Sequence, residues 1–214
     1  GFGASLMYSP EDRGSGSLGI SDRFLGANVR YQASGLNVGI GYNMEDDPTG
    51  ARSLKSAIVG GSYEWGNLKF FAGYLKMKND NPSLGAALSP TIAAALGAAG
   101  AALVPGVVAN INTNARLDAD SYSVGLHYRI GAGRLMGALA RTKNDLLPDG
   151  DVTLLSLGYD HNLSKRTDVY LFFARANNQS NAQYALGGAG YSGGFTTRGG
   201  QDATALQLGI RHKF

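Results

Sequence analysis

A two-residue alternation of apolar with polar or glycine residues runs through most of this sequence, and it constrains the fold more than any other feature. In segment 36–45, for example, Leu36, Val38 and Ile40 alternate with asparagine and glycine. Successive side chains of a β-strand point to opposite faces, so the pattern predicts strands with one apolar and one polar face. Ten segments read as strands: 1–9, 23–33, 36–45, 55–64, 68–77, 120–130, 134–143, 152–161, 168–177 and 204–214. Segments 134–143 and 168–177 are apolar on both faces, which leaves their register open.

The position of the aromatic residues separates a membrane protein from a soluble β-sandwich. On the apolar face they fall at the ends of the segments, with aliphatic residues between them. Tyr and Phe rings at both water interfaces form the aromatic girdle of a membrane barrel, whereas a soluble core places its large rings centrally. Segments of about 9–11 residues also suit a tilted bilayer crossing. The predicted girdle residues are Tyr8, Tyr42, Tyr74 and Tyr122 at one level, and Tyr31, Tyr63, Phe70, Tyr128 and Tyr159 at the other.

The connections between the segments alternate in length. Short links lie at 34–35, 65–67, 131–133 and 163–167, and long links at 10–22, 46–54, 79–118, 145–151 and 178–202. Short periplasmic turns and longer extracellular loops are typical of outer-membrane barrels. The predicted fold class is therefore all-β, an antiparallel transmembrane β-barrel with about ten strands present, and 1–214 forms a single domain.

The longest link, 79–118, lacks charged residues from Asn81 to Ala115 and is rich in alanine. We expect a short helix in an extracellular loop, with Ser89 as N-cap, Pro90 at the first helical position and an end at Gly97 or Gly100. A transmembrane helix is disfavoured because proline and glycine interrupt the segment. Whether the loop covers the mouth or enters the lumen stays open.

Composition argues against several other classes of protein. The chain has no cysteine, which excludes disulfides, thiolate metal sites and a cysteine nucleophile. A net charge of +3 without any Lys/Arg cluster argues against nucleic acid. His127, His161 and His212 lie far apart, which argues against a metal site. No G-x-S-x-G motif occurs, and the Gly14–Gly19 match to G-x-G-x-x-G leads into a strand pattern, so we expect neither an enzyme nor a cofactor.

Charged residues on the predicted lumen side are mainly cationic. Alternation places five cations, three anions and one histidine there: Arg30, Lys69, Arg129, Arg211 and Lys213; Glu45, Glu64 and Asp160; and His127. A confined aqueous pore with excess positive charge concentrates anions, so we expect a mild preference for anions. Arg134, Arg141 and Arg175 would add to this set if their strands have the matching register.

Two motifs carry a resemblance to a known family. The ending Gln207-Leu-Gly-Ile-Arg-His-Lys-Phe214 resembles the C-terminal signal of outer-membrane barrels, although His212 stands where an aromatic or aliphatic residue is more usual. Segment 157–170 is similar to the strand–turn–strand unit near the end of Gram-negative general porins, particularly those of beta-proteobacteria.

The resemblance implies a sixteen-stranded homotrimeric barrel in the outer membrane, through which small hydrophilic solutes diffuse passively. The implied partners are outer-membrane lipids, lipopolysaccharide and the barrel-assembly machinery, which would read Gln207, Gly209, His212 and Phe214. The chain would supply the last ten strands, with the first six and their constriction loop upstream, since 1–9 already has a strand pattern and no signal peptide precedes it. A complete ten-stranded barrel is the alternative architecture. An adhesin or ligand-binding barrel acting through its loops is the alternative function.

Overall fold

The computed structural model describes residues 1–10, 23–46, 52–80, 84–114, 116–187 and 196–214. The Gly14–Gly19 motif and much of the glycine-rich run after Gly187 lie outside these residues. All ten predicted strands are confirmed. They are β1 (Phe2–Ser9), β2 (Phe24–Ala33), β3 (Leu36–Asp46), β4 (Arg52–Trp65), β5 (Leu68–Asn79), β6 (Leu117–Ile130), β7 (Gly133–Asn144), β8 (Val152–Asn162), β9 (Thr167–Asn178) and β10 (Ala203–His212).

The ten strands form one antiparallel sheet in which each strand pairs with its neighbours in sequence. β1 and β10 are the two edges, and no pairing joins them in the described part of the chain. The closed ten-stranded barrel is therefore not the architecture found. Backbone groups within lipid must be paired, so a sheet of this kind closes in a membrane only when further strands complete it.

The short links are tight hairpin turns. Ser34 and Gly35 both have positive φ, 45° and 84°, which is the backbone geometry of a two-residue hairpin turn with the twist of the flanking strands. The other short connections, between β4 and β5, β6 and β7, and β8 and β9, lie at the same end of the sheet. We call it the short-turn end, and the opposite end the long-loop end.

Cross-strand pairing assigns every strand residue to one of two faces. The apolar face carries Val38, Val124 and Leu208, and the polar face carries Asn37 and Arg129. Pairing also fixes the two registers that the sequence leaves open. Leu135 and Leu139 on β7 and Leu171 and Phe173 on β9 lie on the apolar face, in line with the leucines of β8.

The apolar face is not covered by any second layer of the described structure. Leu208 is 78% exposed, Ile210 67% and Val124 58%, and no large side chain is fully buried among the described residues. Soluble monomers rarely expose contiguous apolar patches beyond a few hundred Å². The sheet therefore has the surface of a barrel wall in contact with lipid, not that of one half of a soluble sandwich.

The link between β5 and β6 contains two helices instead of one: α1 (Leu84–Gly100) and α2 (Val104–Asn114), joined by a 3-10 turn over Ala101–Leu103. Leu88–Thr113 has the length and mean hydropathy, 2.0, of a membrane span. It does not form one straight helix, because Gly97 adopts a glycine-only conformation (φ 62°, ψ −172°) and α2 folds back against α1. Neither helix contacts a described strand.

The expected start of this helix was wrong. Ser89 is not the N-cap and Pro90 lies inside α1, because the helix begins at Leu84, six residues before Pro90. The backbone N–H of Gly85 donates to Asn112 Oδ1 of α2 at 2.7 Å. A side chain from the second helix thus satisfies one of the free N–H groups of the first turn. The expected end at Gly97 coincides with the break in helical geometry within α1.

Candidate pore-lining face

Small polar side chains cover much of the polar face and bond to one another across the strands. Asn28 Nδ2 donates to Ser5 Oγ at 2.5 Å, and Ser56 Oγ donates to Asn43 Oδ1 at 2.5 Å. Ser121 and Thr142 share a hydrogen bond of 2.7 Å. Such a surface is stable in contact with water and leaves room beside it, which is what the lining of an aqueous channel requires.

Charged residues form a row on this face near the short-turn end of β4–β10. Lys69 Nζ lies 2.8 Å from Glu64 Oε1, and Arg129 lies 3.8 Å from the same carboxylate. Arg134 on β7 pairs with Asp160 on β8. We call Glu64, Lys69, Arg129, Arg134, Asp160, Asp168 and Arg211 the charged row.

The acids of the β7–β10 part of this row are covered, whereas their cationic partners are open. The side chains of Asp160 and Asp168 are 11% and 10% exposed, against 41% for Arg134 and 58% for Arg211. Arg129 is 61% exposed. Along β7–β10 a passing solute therefore meets guanidinium groups, while Asp160 and Asp168 lie beneath them; Glu64, in the β4–β6 part of the row, is 40% exposed.

A cleft of about 190 Å³ opens within the row, between Lys69, His127, Arg129 and Arg134. The imidazole of His127 packs against Phe71 with ring centroids 4.5 Å apart and the ring planes tilted by 55°, and Lys69 Nζ lies 5.5 Å from the centre of the Phe71 ring. His127 therefore lies on the polar face, where the alternation places it. Phe71 interrupts the alternation, and its ring supports these two residues.

The other residues predicted to line the pore are more scattered. The Arg30 side chain lies over Gly3 on the polar face, and Glu45 lies on that face at the long-loop end of β3. Alternation places Lys213 inward as well, one residue beyond the end of β10 at His212. The backbone N–H of Lys213 donates to the carbonyl of Arg166 at 2.9 Å, which continues the β9–β10 pairing by one residue, and the inward direction of its side chain stays a prediction.

Three arginines had no assigned face, and only Arg134 belongs to the polar face. Arg141 and Arg175 lie on the apolar face at the long-loop end, where they pair with Asp151 at 3.0 Å and Asp202 at 2.8 Å. Sequence reasoning also missed Asp168. Its partner Arg211 was identified, but the register of β9 could not be read from a segment that is apolar on both faces.

Aromatic rings of the apolar face lie near both ends of the strands, and their role as a girdle stays a prediction. The rings of Tyr74 and Tyr122 contact each other across β5 and β6 at the long-loop end, tilted and with centroids 5.1 Å apart. Phe2 and Tyr31 do the same at the short-turn end, at 4.6 Å. Tyr159 hydroxyl and His161 Nδ1 share a hydrogen bond of 3.0 Å near the same end. Rings with polar tips at these levels suit the two membrane interfaces.

The described residues contain no group of three His, Asp or Glu side chains that could hold a metal ion. His127 lies on the polar face, while His161 and His212 lie on the apolar face and bond to Tyr159 and Thr167.

The fold and its two faces define a class of protein, the membrane-embedded β-barrels, with lipid on one side of the wall and solvent on the other. Residues 1–181 match the sequence profile of the Gram-negative porin family, and the chain belongs to that family. This membership places it in the bacterial outer membrane.

Known proteins give the same result. The chain is 28% identical over 220 residues to the outer membrane porin protein 32 of Delftia acidovorans, and covers 53% of that protein. It matches the anion-selective porin of Comamonas acidovorans with a TM-score of 0.69 and 23% identity, over 100% of this chain and 56% of that one. It also matches a trimer form of OmpT of Vibrio cholerae, with a TM-score of 0.57 and 14% identity, over 89% and 56%. The chain thus spans about half the length of the relatives it matches.

Proposed function

We propose that this chain forms part of the wall of a water-filled channel through which small hydrophilic solutes and ions diffuse passively, with a mild preference for anions. The observation that carries the proposal is the exposure difference in the β7–β10 part of the charged row. Arg129, Arg134 and Arg211 face the solvent, whereas Asp160 and Asp168 are covered. Cationic groups along a narrow aqueous path raise the local concentration of anions.

The named relatives support the proposal without deciding it. The matched porin of Comamonas acidovorans is described as anion-selective. At 23% identity this similarity supports the fold alone. The proposed anion preference of this chain is therefore argued from its own arginines. The channel needs no catalytic group, since flow follows the gradient and selectivity comes from pore width and lining charge.

Closure and assembly belong to the same proposal. The unpaired edges of β1 and β10 are to be joined through further strands of the full protein, giving a sixteen-stranded barrel to which this chain contributes the last ten. A homotrimer is supported by the OmpT structure, which was solved in a trimer form. Outer-membrane lipids and lipopolysaccharide would surround the girdle. The barrel-assembly machinery would read the end of β10, including Gln207, Gly209, His212 and Phe214.

Planar-bilayer recordings test this function. The protein purified from outer membranes is expected to give ohmic single-channel currents, and a salt gradient is expected to give a reversal potential of the sign for anions. A closed lumen would contradict the channel and favour the adhesin alternative. Open channels with a cation-type reversal potential would contradict the role given to the arginines.

A further inference from the structure

Two aromatic rings lie on the polar face of β9, in a wall that otherwise carries many small polar and charged side chains. Tyr170 and Phe172 are two residues apart and half-buried, and their ring centroids are 5.5 Å apart. In the pairing of β9 with β8 they are opposite Asp160 and Gly158, which lie on the same face. Because water solvates aromatic surface poorly, the exposed parts of these rings offer a contact to an apolar group of a passing solute.

Each ring lies over a glycine of a neighbouring strand. A Cβ added at Gly158 of β8 would meet the Phe172 ring, and a Cβ added at Gly209 of β10 would meet the Tyr170 ring. The two rings therefore lean along the wall in opposite directions, towards β8 and towards β10. Packing over glycine accounts for their placement, but a half-buried ring still exposes part of its surface to the channel side.

A guanidinium group lies beside each ring. Arg211 is two residues beyond the glycine under Tyr170, on the same face of β10. Arg134 binds Asp160, which is two residues beyond the glycine under Phe172, on the same face of β8. Residues two apart on a strand are separated by about 7 Å. One small molecule can therefore contact a ring and a guanidinium at the same time.

The guanidinium groups have hydrogen-bonding capacity left for a ligand. Each has five N–H donors, and the bonds to Asp160 and Asp168 use two of them in each arginine. Arg129 is directly opposite Arg134 in the pairing of β6 with β7. Like charges in this position repel each other, so an anion bound beside them is favoured. The charged row as a whole holds four cations and three carboxylates, which leaves one positive charge in excess.

The rings and the guanidinium groups share one cavity. Arg134, Phe172 and Arg211 line a space of about 590 Å³. Ile210 and His212 also line it but lie on the apolar face, so the space extends around the open edge of β10. The further strands proposed to join this edge would close that part and leave the part on the polar face, which contains the rings and both arginines.

We propose that this part of the wall binds small aromatic carboxylates as they pass through the channel. The aromatic ring of the solute stacks on Tyr170 and Phe172, and its carboxylate binds the guanidinium of Arg134 or Arg211. The inference rests on the proposed channel function and names the class of solute that the wall retains. Sugars also stack on aromatic rings, but exposed guanidinium groups on both sides favour a solute with a negative charge.

Ligand-observed NMR with the detergent-purified full-length protein measures benzoate binding without requiring an open channel, after subtraction of the signal from protein-free micelles. The wild type is expected to bind benzoate more tightly than acetate, which lacks the ring, and more tightly than benzamide, which lacks the charge. Tyr170→Leu combined with Phe172→Leu keeps an apolar side chain over each glycine but removes both rings. This variant should bind benzoate about fivefold more weakly, the equivalent of about 1 kcal/mol.

The matched control is Tyr159→Leu combined with Phe173→Leu, which removes one tyrosine and one phenylalanine from the apolar face and should not change benzoate binding. Circular dichroism checks that each variant keeps its β-sheet. If the double variant of β9 does not fold, the single variants Tyr170→Leu and Phe172→Leu decide, and each is expected to lose about twofold in benzoate affinity.

The role of the cation is tested by replacing one ion pair as a unit, Arg134→Gln with Asp160→Asn. This removes a guanidinium without leaving a carboxylate uncovered and without changing the net charge. We expect benzoate binding to weaken about threefold, the size of effect that an exposed ion pair has, and benzamide binding to stay unchanged.

Unchanged benzoate affinity in the folded Tyr170→Leu, Phe172→Leu protein would overturn the proposal. Benzamide binding as tight as that of benzoate would also overturn it, and so would glucose binding that depends on the same two rings while benzoate binding does not. Single-channel recording separates this proposal from the channel function. Benzoate binding to a protein that carries no current would contradict the channel alone, whereas ohmic currents without benzoate binding would contradict the aromatic site alone.

Discussion

Arg211 on β10 binds Asp168 on β9 through two parallel hydrogen bonds, Nε to Oδ1 and Nη2 to Oδ2, each 2.9 Å long. This bidentate arrangement is the strongest form of an arginine–carboxylate pair. It leaves the guanidinium facing the polar side of the sheet while the carboxylate is nearly covered. Two strands away, Arg134 Nε and Nη2 both donate to a single oxygen, Asp160 Oδ2, and this carboxylate is covered as well. Within these pairs the positive charge is the one that a passing ion meets.

The first prediction concerns Arg211→Gln. Removing the guanidinium uncovers Asp168, so the wall loses a positive charge and gains an exposed negative one. We expect the anion-to-cation permeability ratio, taken from reversal potentials in a salt gradient, to fall about twofold. Arg141→Gln is the control, because it also removes one positive charge but from the apolar face. An equal change in both variants would show that net charge, and not the charged row, sets the preference.

A second prediction uses the two faces of β3. Ile40 is 61% exposed on the apolar face, and Asn37 lies on the polar face of the same strand. Ile40→Arg should lower the free energy of unfolding in lipid by about 2–4 kcal/mol, the cost of an arginine at the bilayer midplane. Asn37→Arg should change it by less than about 1 kcal/mol, since water solvates that face. Denaturant titration in vesicles measures both, and equal destabilisation would contradict the assignment of faces.

The third prediction is a pH dependence at the end of the link between β9 and β10. Hydrogen bonds from the Arg175 guanidinium and from the backbone N–H of Asn178 hold the pKa of Asp202 below its ordinary value. A lowered carboxylate pKa contributes stability that is present above about pH 3.9 and is lost as pH falls through the lowered value. We therefore expect hydrogen-exchange protection of the Asn178 amide, corrected for intrinsic rates, to be constant at neutral pH and to decline only in strong acid.

Asp202→Asn should reduce the protection of the Asn178 amide already at neutral pH and remove its decline in acid. Asp151→Asn breaks the neighbouring pair with Arg141 instead and should leave that amide protected. If the protection of the Asn178 amide had the same pH dependence in the Asp202→Asn protein and the wild type, a group other than Asp202 would be responsible for it.

The sequence could predict the strands because a barrel wall has water on one side and lipid on the other, which imposes the alternation directly. It could not orient β7 and β9, where residues such as Ala138 and Phe172 make the polar face apolar. Pairing shows why Phe172 is tolerated there. Its ring lies over Gly158 of β8, in the space that a Cβ would otherwise occupy. This cross-strand contact cannot be read from the sequence of either strand alone. Because the orientation of β9 stayed open, Asp168 was not recognised as the partner of Arg211.

The loop between β5 and β6 shows a second limit. Its lack of charge and its alanine content predicted a helix, but local capping rules placed the start at Ser89. The structure caps Gly85 with Asn112, a residue 27 positions away. The contact that satisfies the Gly85 N–H comes from another helix, so local capping rules could not reveal it.

Cysteine labelling on β6 tests the central claim most directly, since the chain has no cysteine of its own. Ser123 and Val124 are neighbours whose side chains leave opposite faces of the sheet. In intact outer membranes, a membrane-impermeant maleimide small enough to enter the channel is expected to modify Ser123→Cys and to spare Val124→Cys. Rapid modification of Val124→Cys with protection of Ser123→Cys would place the apolar face in water and contradict the assignment of the polar face to the channel.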